Sequence, residues 1–418
     1  MTAADLLLTG AAEVVTCAGS GPARGPAQGA LGVLSRGAIA IGGGKILGVG
    51  DEHALRAEFH AESTRVLDAE GGVVLPGFVD PHTHLVFAGD RAAEWEARLA
   101  GTSYLELLAR GGGIMSTVRA TRAASFDALL ANARRWASRM LALGTTTVEA
   151  KSGYGLDRAT ELRLLEVARA VGDELPIEIV STFLGAHVVP AEYRERRGDY
   201  LAELEALHQE LGARGLARFV DVFCEEEAFT LAETERLLRH ARGLGLGLKL
   251  HAEQFTASGA AELGAALGAV SIDHLEHLSA GALERLAALS APPVAVLLPG
   301  VSFHLAMNAH PNARGLIDAG VPVALATDFN PGSSFTPSMP MILALATRNL
   351  GMSVAEAIVA ATRNAAHAVG LGDVVGSLEP GKRADLIICD VPEHRFLAYG
   401  FGWNPVRTVL ARGERVVG

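Results

Sequence analysis

At 418 residues the chain is too long for one ordinary hydrophobic core and long enough for a large barrel plus a smaller domain. Hydrophobic residues make up 49% and charged residues 20%, a composition that excludes a disordered chain. A formal net charge of −11 argues against nucleic acid or an anionic membrane as the main partner, and leaves room for a local basic pocket that takes an anionic small molecule.

Residues 1 to 70 read as short strands and turns, with a hairpin expected in Ala38-Ile-Ala-Ile-Gly-Gly-Gly-Lys-Ile-Leu-Gly-Val49. The N-terminus has no basic stretch followed by a long apolar one, and no apolar run approaches the ~20 residues of a membrane span. Cys17, Cys224 and Cys389 form neither a disulfide framework nor a Cys-x-x-Cys pattern, which suits a reducing cytosol.

Residues 71 to 372 alternate between apolar strand-like runs and helical patterns. The runs are 77–80, 145–150, 177–183, 219–223, 247–250, 270–273, 294–298 and 321–326, with helices expected over 160–171, 231–244 and 280–288. Eight strands alternating with helices predict an α/β fold, a (β/α)8 TIM-type barrel. Residues 373 to 418 return to strands, over 384–390, 406–410 and 415–417. Neither end can build a core alone, so the two are expected to form one small composite β domain. Gly111-Gly-Gly113 reads as a loop and not a phosphate loop, because no Gly-Lys-Ser/Thr follows.

In such barrels chemistry sits at the C-terminal ends of the strands. The first run, Leu75-Pro-Gly-Phe-Val-Asp-Pro-His-Thr-His84, ends in two imidazoles two residues apart. Pro76 and Pro81 argue against a helix, and in a strand His82 and His84 face the same side and can pinch one metal ion. The fifth run ends at His251 and the eighth at Asp328. Three imidazoles and one carboxylate suit zinc or a similar first-row ion, so the expected ligands are His82, His84, His251 and Asp328. As isolated residues, His251 reads as a satisfied core histidine and Asp328 as a helix cap before Pro331. His274, at the end of the sixth run, is placed to steady an oxyanion or move a proton without serving as a ligand. Lys151 reads as a structural or supporting cation. Glu276 and His277 are read as surface residues, as are His53, His60, His208, His240, His367 and His394. For His304 and His310, in the loop after the seventh run, substrate contact is the minor reading.

Together these residues resemble the amidohydrolase superfamily and, more closely, the imidazolonepropionase family of histidine breakdown. Carrying the resemblance are the segment 76–84, His251, His274, Thr327-Asp328, and four stretches over 91–104, 111–122, 149–155 and 326–334. The resemblance implies hydrolysis of the cyclic amide of 4-imidazolone-5-propionate to N-formimidoyl-L-glutamate by a metal-activated water. The metal is implied to be zinc or iron and the protein a cytoplasmic homodimer. It also implies that Arg91 holds the propionate, that Tyr154 and His187 contact substrate, and that Gln254 lies beside the ring. Asn330, Gly332 and Ser333 open the last loop and can hold the new carboxylate. Glutamine cannot exchange a proton, so proton transfer rests on Asp328, His274 or water. A purine or pyrimidine deaminase is the rival reading, although such enzymes want a glutamate where Gln254 stands. A non-catalytic barrel is a weaker rival, because no ligand is missing.

Overall fold

The computed structural model describes residues 4–102 and 112–418, so Ser103, Tyr104 and Gly111 of the stretches above lie outside the described residues. Each of the eight apolar runs is a strand. They are β1 (Phe78–Thr83), β2 (Thr145–Lys151), β3 (Glu178–Ala186), β4 (Phe219–Cys224), β5 (Gly247–Leu248 and His251–Ala252), β6 (Ser271–His274), β7 (Val294–Leu297) and β8 (Val323–Leu325). All neighbours pair in parallel, in chain order from β1 to β8. Parallel strands need long crossovers. The helices Arg158–Glu174, Leu231–Gly243 and Ala280–Ala287 supply three of them, close to the expected spans.

Closure brings the last strand beside the first. Asp328 N–H donates to the His82 carbonyl at 3.0 Å, and His84 N–H to that of Phe329 at 2.9 Å. Below these bonds the buried Asp80 carboxylate accepts from both the backbone N–H and the hydroxyl of Thr327, at 3.1 and 2.5 Å. Val79, Val180, Phe219, Val296 and Ala324 fill the interior beneath, packed with Ala365 and Ala366 of helix Arg363–Ala368. Each of the valines and Phe219 contributes about 1.5–3 kcal/mol by leaving water.

Both chain ends contribute to the accompanying sheets. A six-stranded sheet runs Glu414–Val417, Val406–Ala411, Leu386–Cys389, Val73–Pro76, Glu13–Val15, Val33–Ser35. Its Val73–Pro76 strand pairs antiparallel with the C-terminal Leu386–Cys389 and parallel with the N-terminal Glu13–Val15. A four-stranded sheet carries the expected hairpin, Gly37–Gly42 paired with Lys45–Asp51. Gly43 and Gly44 both adopt positive φ, +57° and +72°, as this tight two-residue turn requires.

Helix Arg197–Arg214 corrects one expectation: His208 is buried, not a surface residue. It lies on the inward face with Leu204 and Leu211, its Nδ1 3.3 Å from that of the half-buried His240. Burial and the neighbouring His240 push its pKa down from 6.5 to about 3. Unfolded, His208 takes up a proton below about 6.5, whereas folded it stays neutral down to about 3. Stability is therefore complete above that window and falls by roughly 1.4 kcal/mol per pH unit within it. His208→Gln is expected to flatten the acid limb of a Tm-against-pH curve; an unchanged limb would refute this role.

Candidate active site

The floor of the site is built where β1, β5, β6 and the end of β8 meet. His82, His84, His251, His274 and Asp328 are all buried. Their ligand atoms form two overlapping triplets, His82 with His251 and His274, and His82 with His84 and Asp328, each within 4.8 Å. The Asp328 carboxylate Oδ1 lies 3.4 Å from Nε2 of both His82 and His84. Asp328 is no helix cap; it has φ +48°, and His274 has φ +82°. Such strain, of order 1–3 kcal/mol per residue, is typical of positions fixed for function.

Three observations test whether a metal fits. His82 Nε2, His251 Nε2 and Asp328 Oδ1 are buried without a hydrogen-bond partner, a costly state that a coordinated cation relieves. Two imidazoles are oriented from behind by carboxylates: His82 Nδ1 is 2.7 Å from Asp273, and His251 Nδ1 is 3.0 Å from Asp221. This is the usual support for a metal-binding histidine, with the other nitrogen left toward the ion. Finally, the donor set of imidazoles and one carboxylate suits a divalent first-row ion.

Electrostatics beneath the floor are organised by Lys151. Its ammonium donates to Glu149 at 2.9 Å and Asp221 at 2.7 Å, and lies 3.4 Å from Asp273. Lys249 donates to the Pro81 carbonyl at 2.9 Å and lies 3.3 Å from Glu149. Three carboxylates against two ammoniums leave one negative charge; Asp328 adds another, and a divalent cation neutralises both. Burial and Lys151 push the His82 imidazolium down, but the Nδ1 bond to Asp273 and the nearby Asp328 carboxylate outweigh them and leave its pKa at about 9. Burial opposes the charged form of Asp328, yet His82 and His84 hold its carboxyl well below the usual range.

Above the floor opens a cavity of about 660 Å3. Arg91, Tyr154, His187, Gln254, Asn330, Gly332 and Ser333 line it, together with His84, His251, His274 and Asp328. His82 lies wholly buried below. Arg91 caps helix Ala92–Leu99 and donates to Glu94 at 2.9 Å. Burial raises the Tyr154 phenol pKa, so it remains a donor. Burial and His84 lower that of His187 to about 3, so this ring is neutral. Its Nδ1 is 3.0 Å from the Gly153 carbonyl, which requires the proton there and leaves Nε2 as an acceptor.

Asn330 folds the last loop on itself. Its Oδ1 accepts from the N–H groups of Gly332 and Ser333, each at 2.7 Å, while its amide donates to the Ser333 hydroxyl at 2.8 Å. Those amides are therefore occupied, so an incoming carboxylate must displace Asn330 to use them. A Cβ at Gly332 would overlap Nη1 of Arg91. Gly332→Ala is expected to displace this flexible guanidinium, raising KM about tenfold with little change in Tm; an unchanged KM would detach Arg91 from substrate binding.

One of these readings changes. Glu276 is buried, its carboxylate 3.6 Å from His274 Nδ1, whereas His277 is exposed as expected. In the loop after β7, Leu305 and Met307 line the cavity, while His304 lies near Trp95 and His310 is exposed. Asp221, Asp273, Glu149 and Lys249 carry no role in the sequence reading, although a charge inside an apolar strand is a signal for each.

Comparison with known proteins agrees with this geometry. The amidohydrolase family model matches residues 73–416. The imidazolonepropionase of Symbiobacterium thermophilum is 48% identical over 420 residues, covering 100% of this chain and 98% of that protein. That of Geobacillus kaustophilus is 46% identical, covering 99% and 98%. An adenosine deaminase from Xanthomonas campestris, solved with bound zinc, shares the fold with a TM-score of 0.73 at 22% identity, covering 100% of this chain and 93% of that one. The chain belongs to the amidohydrolase family and, within it, to the imidazolonepropionases.

Proposed function

We propose that the chain hydrolyses the ring amide of 4-imidazolone-5-propionate, giving N-formimidoyl-L-glutamate. The observation that carries this reading is one cavity with two poles, a His/Asp floor suited to a cation and the Arg91 guanidinium against Gly332. His82, His84, His251 and Asp328 would hold one ion, zinc or iron. When bound, it supplies Lewis acidity and lowers the pKa of a water toward about 7.

Arg91 and Tyr154 hold the propionate so that the ring carbonyl faces the floor; such positioning contributes several kcal/mol to lowering the barrier. Asp328, ionised and buried, accepts the proton of the attacking water. His274 donates toward the developing oxyanion. As the C–N bond breaks, Asp328 or His274 returns a proton to the leaving nitrogen. His187 Nε2 and the Gln254 amide meet the ring as neutral groups, which favours a neutral heterocycle. Three buried free thiols, Cys17, Cys224 and Cys389, accord with a reducing cytosol, and a homodimer is the assembly proposed.

The test follows the ultraviolet absorbance of freshly made imidazolone propionate, with product quantified, before and after chelation. Accelerated, chelator-sensitive ring loss with matching formimidoylglutamate supports the reading. No acceleration by metal-replete protein would overturn it, and ammonia release from a purine or pyrimidine would replace it with deamination.

A further inference from the structure

Arg98 is a second guanidinium in the cavity wall. It stands seven residues after Arg91, two turns along helix Ala92–Leu99, which places both on one face about 10 Å apart along the axis. Glu94, four residues before Arg98, is the natural partner for a helical ion pair. It turns the other way, accepting from Arg91 at 2.9 Å and from Gly113 N–H at 3.0 Å. Among the described residues no carboxylate pairs with Arg98. Both guanidiniums also act on one neighbour: burial, then Arg98 and Arg91, push the His304 imidazolium down. The lining also carries Glu225, Glu226 and Glu227, on the loop after β4.

The substrate proposed above has one carboxylate, which Arg91 satisfies. Ring opening creates a second carboxylate and a cationic formimidoyl group. We propose that Arg98 is a second carboxylate-recognising position, which makes the cavity select ligands by their number of carboxylates. This inference rests on the reading of the cavity as the site of imidazolone hydrolysis. It predicts that ligands with two carboxylates, the product among them, are held more tightly than ligands of the same size with one. Since Arg98 is half-buried and pairs with no carboxylate among the described residues, its removal should leave the fold intact.

Calorimetric titration of the metal-replete protein with three non-reacting probes tests this: N-formyl-L-glutamate with two carboxylates, imidazole-4-propionate with one, and 4-propylimidazole with none. Arg98→Gln is expected to weaken the dicarboxylate about tenfold, the monocarboxylate less and the neutral probe not at all. Arg98→Lys should recover much of the loss, and the difference should shrink as salt rises. Equal losses for all three probes, or a dicarboxylate affinity unchanged by Arg98→Gln, would overturn the proposal. Wild-type protein that shows the expected probe pattern but does not open the imidazolone ring would sink the proposed reaction and leave the anion position standing.

Discussion

Asp328→Asn should lower kcat by at least about 10^3-fold, near the upper range for loss of a general base. Asparagine keeps the shape of the side chain and can still present an oxygen, but it cannot take a proton from water. Three proposed histidine ligands remain, so bound metal, measured by elemental analysis, should fall less than activity does. His251→Ala should lose both together, because its Nε2 is a buried donor atom with no other partner. The two variants thus separate a proton acceptor from a plain ligand. Full activity with normal metal content in either would refute the site as assigned.

Lys151→Met should give the largest loss of stability. The substitution preserves much of the apolar stem and deletes the charge that Glu149, Asp221 and Asp273 share. Removing one partner from a buried ion network costs about 3–5 kcal/mol, because three buried carboxylates lose the cation between them. Denaturant unfolding of metal-free protein measures this cost directly. Metal affinity should drop as well, about 10–100-fold, since Asp221 and Asp273 orient His251 and His82. A variant as stable as wild type would show that the network contributes little to the fold.

The barrel was legible because its strands are short apolar runs at regular spacing, and the metal floor because histidines stand where those runs stop. Lys151 was correctly read as a supporting cation, but its partners were not seen. Asp221 and Asp273 lie within runs scanned only for apolar character, and their meaning depends on a cation from another strand. Glu276 was misread for a backbone reason: His274 and Leu275 both take positive φ, +82° and +72°, which turns the next side chain back inward. His208 was misjudged by residue type, although Leu204 and Leu211 on the same helical face announced its burial. The occupied amides after Asp328 could not be foreseen, because Asn330 claims them through a local turn.

The six-stranded sheet also bears on the order of events during synthesis. Val73–Pro76 leads directly into β1, which holds His82 and is followed by His84, and among the described residues one side of that strand pairs with Leu386–Cys389. Gly77 N–H likewise waits for the Asp385 carbonyl, at 3.0 Å in the finished fold. A nascent chain therefore carries an open strand edge beside its metal-binding histidines until the final strands emerge, the interval in which unpaired edges invite aggregation.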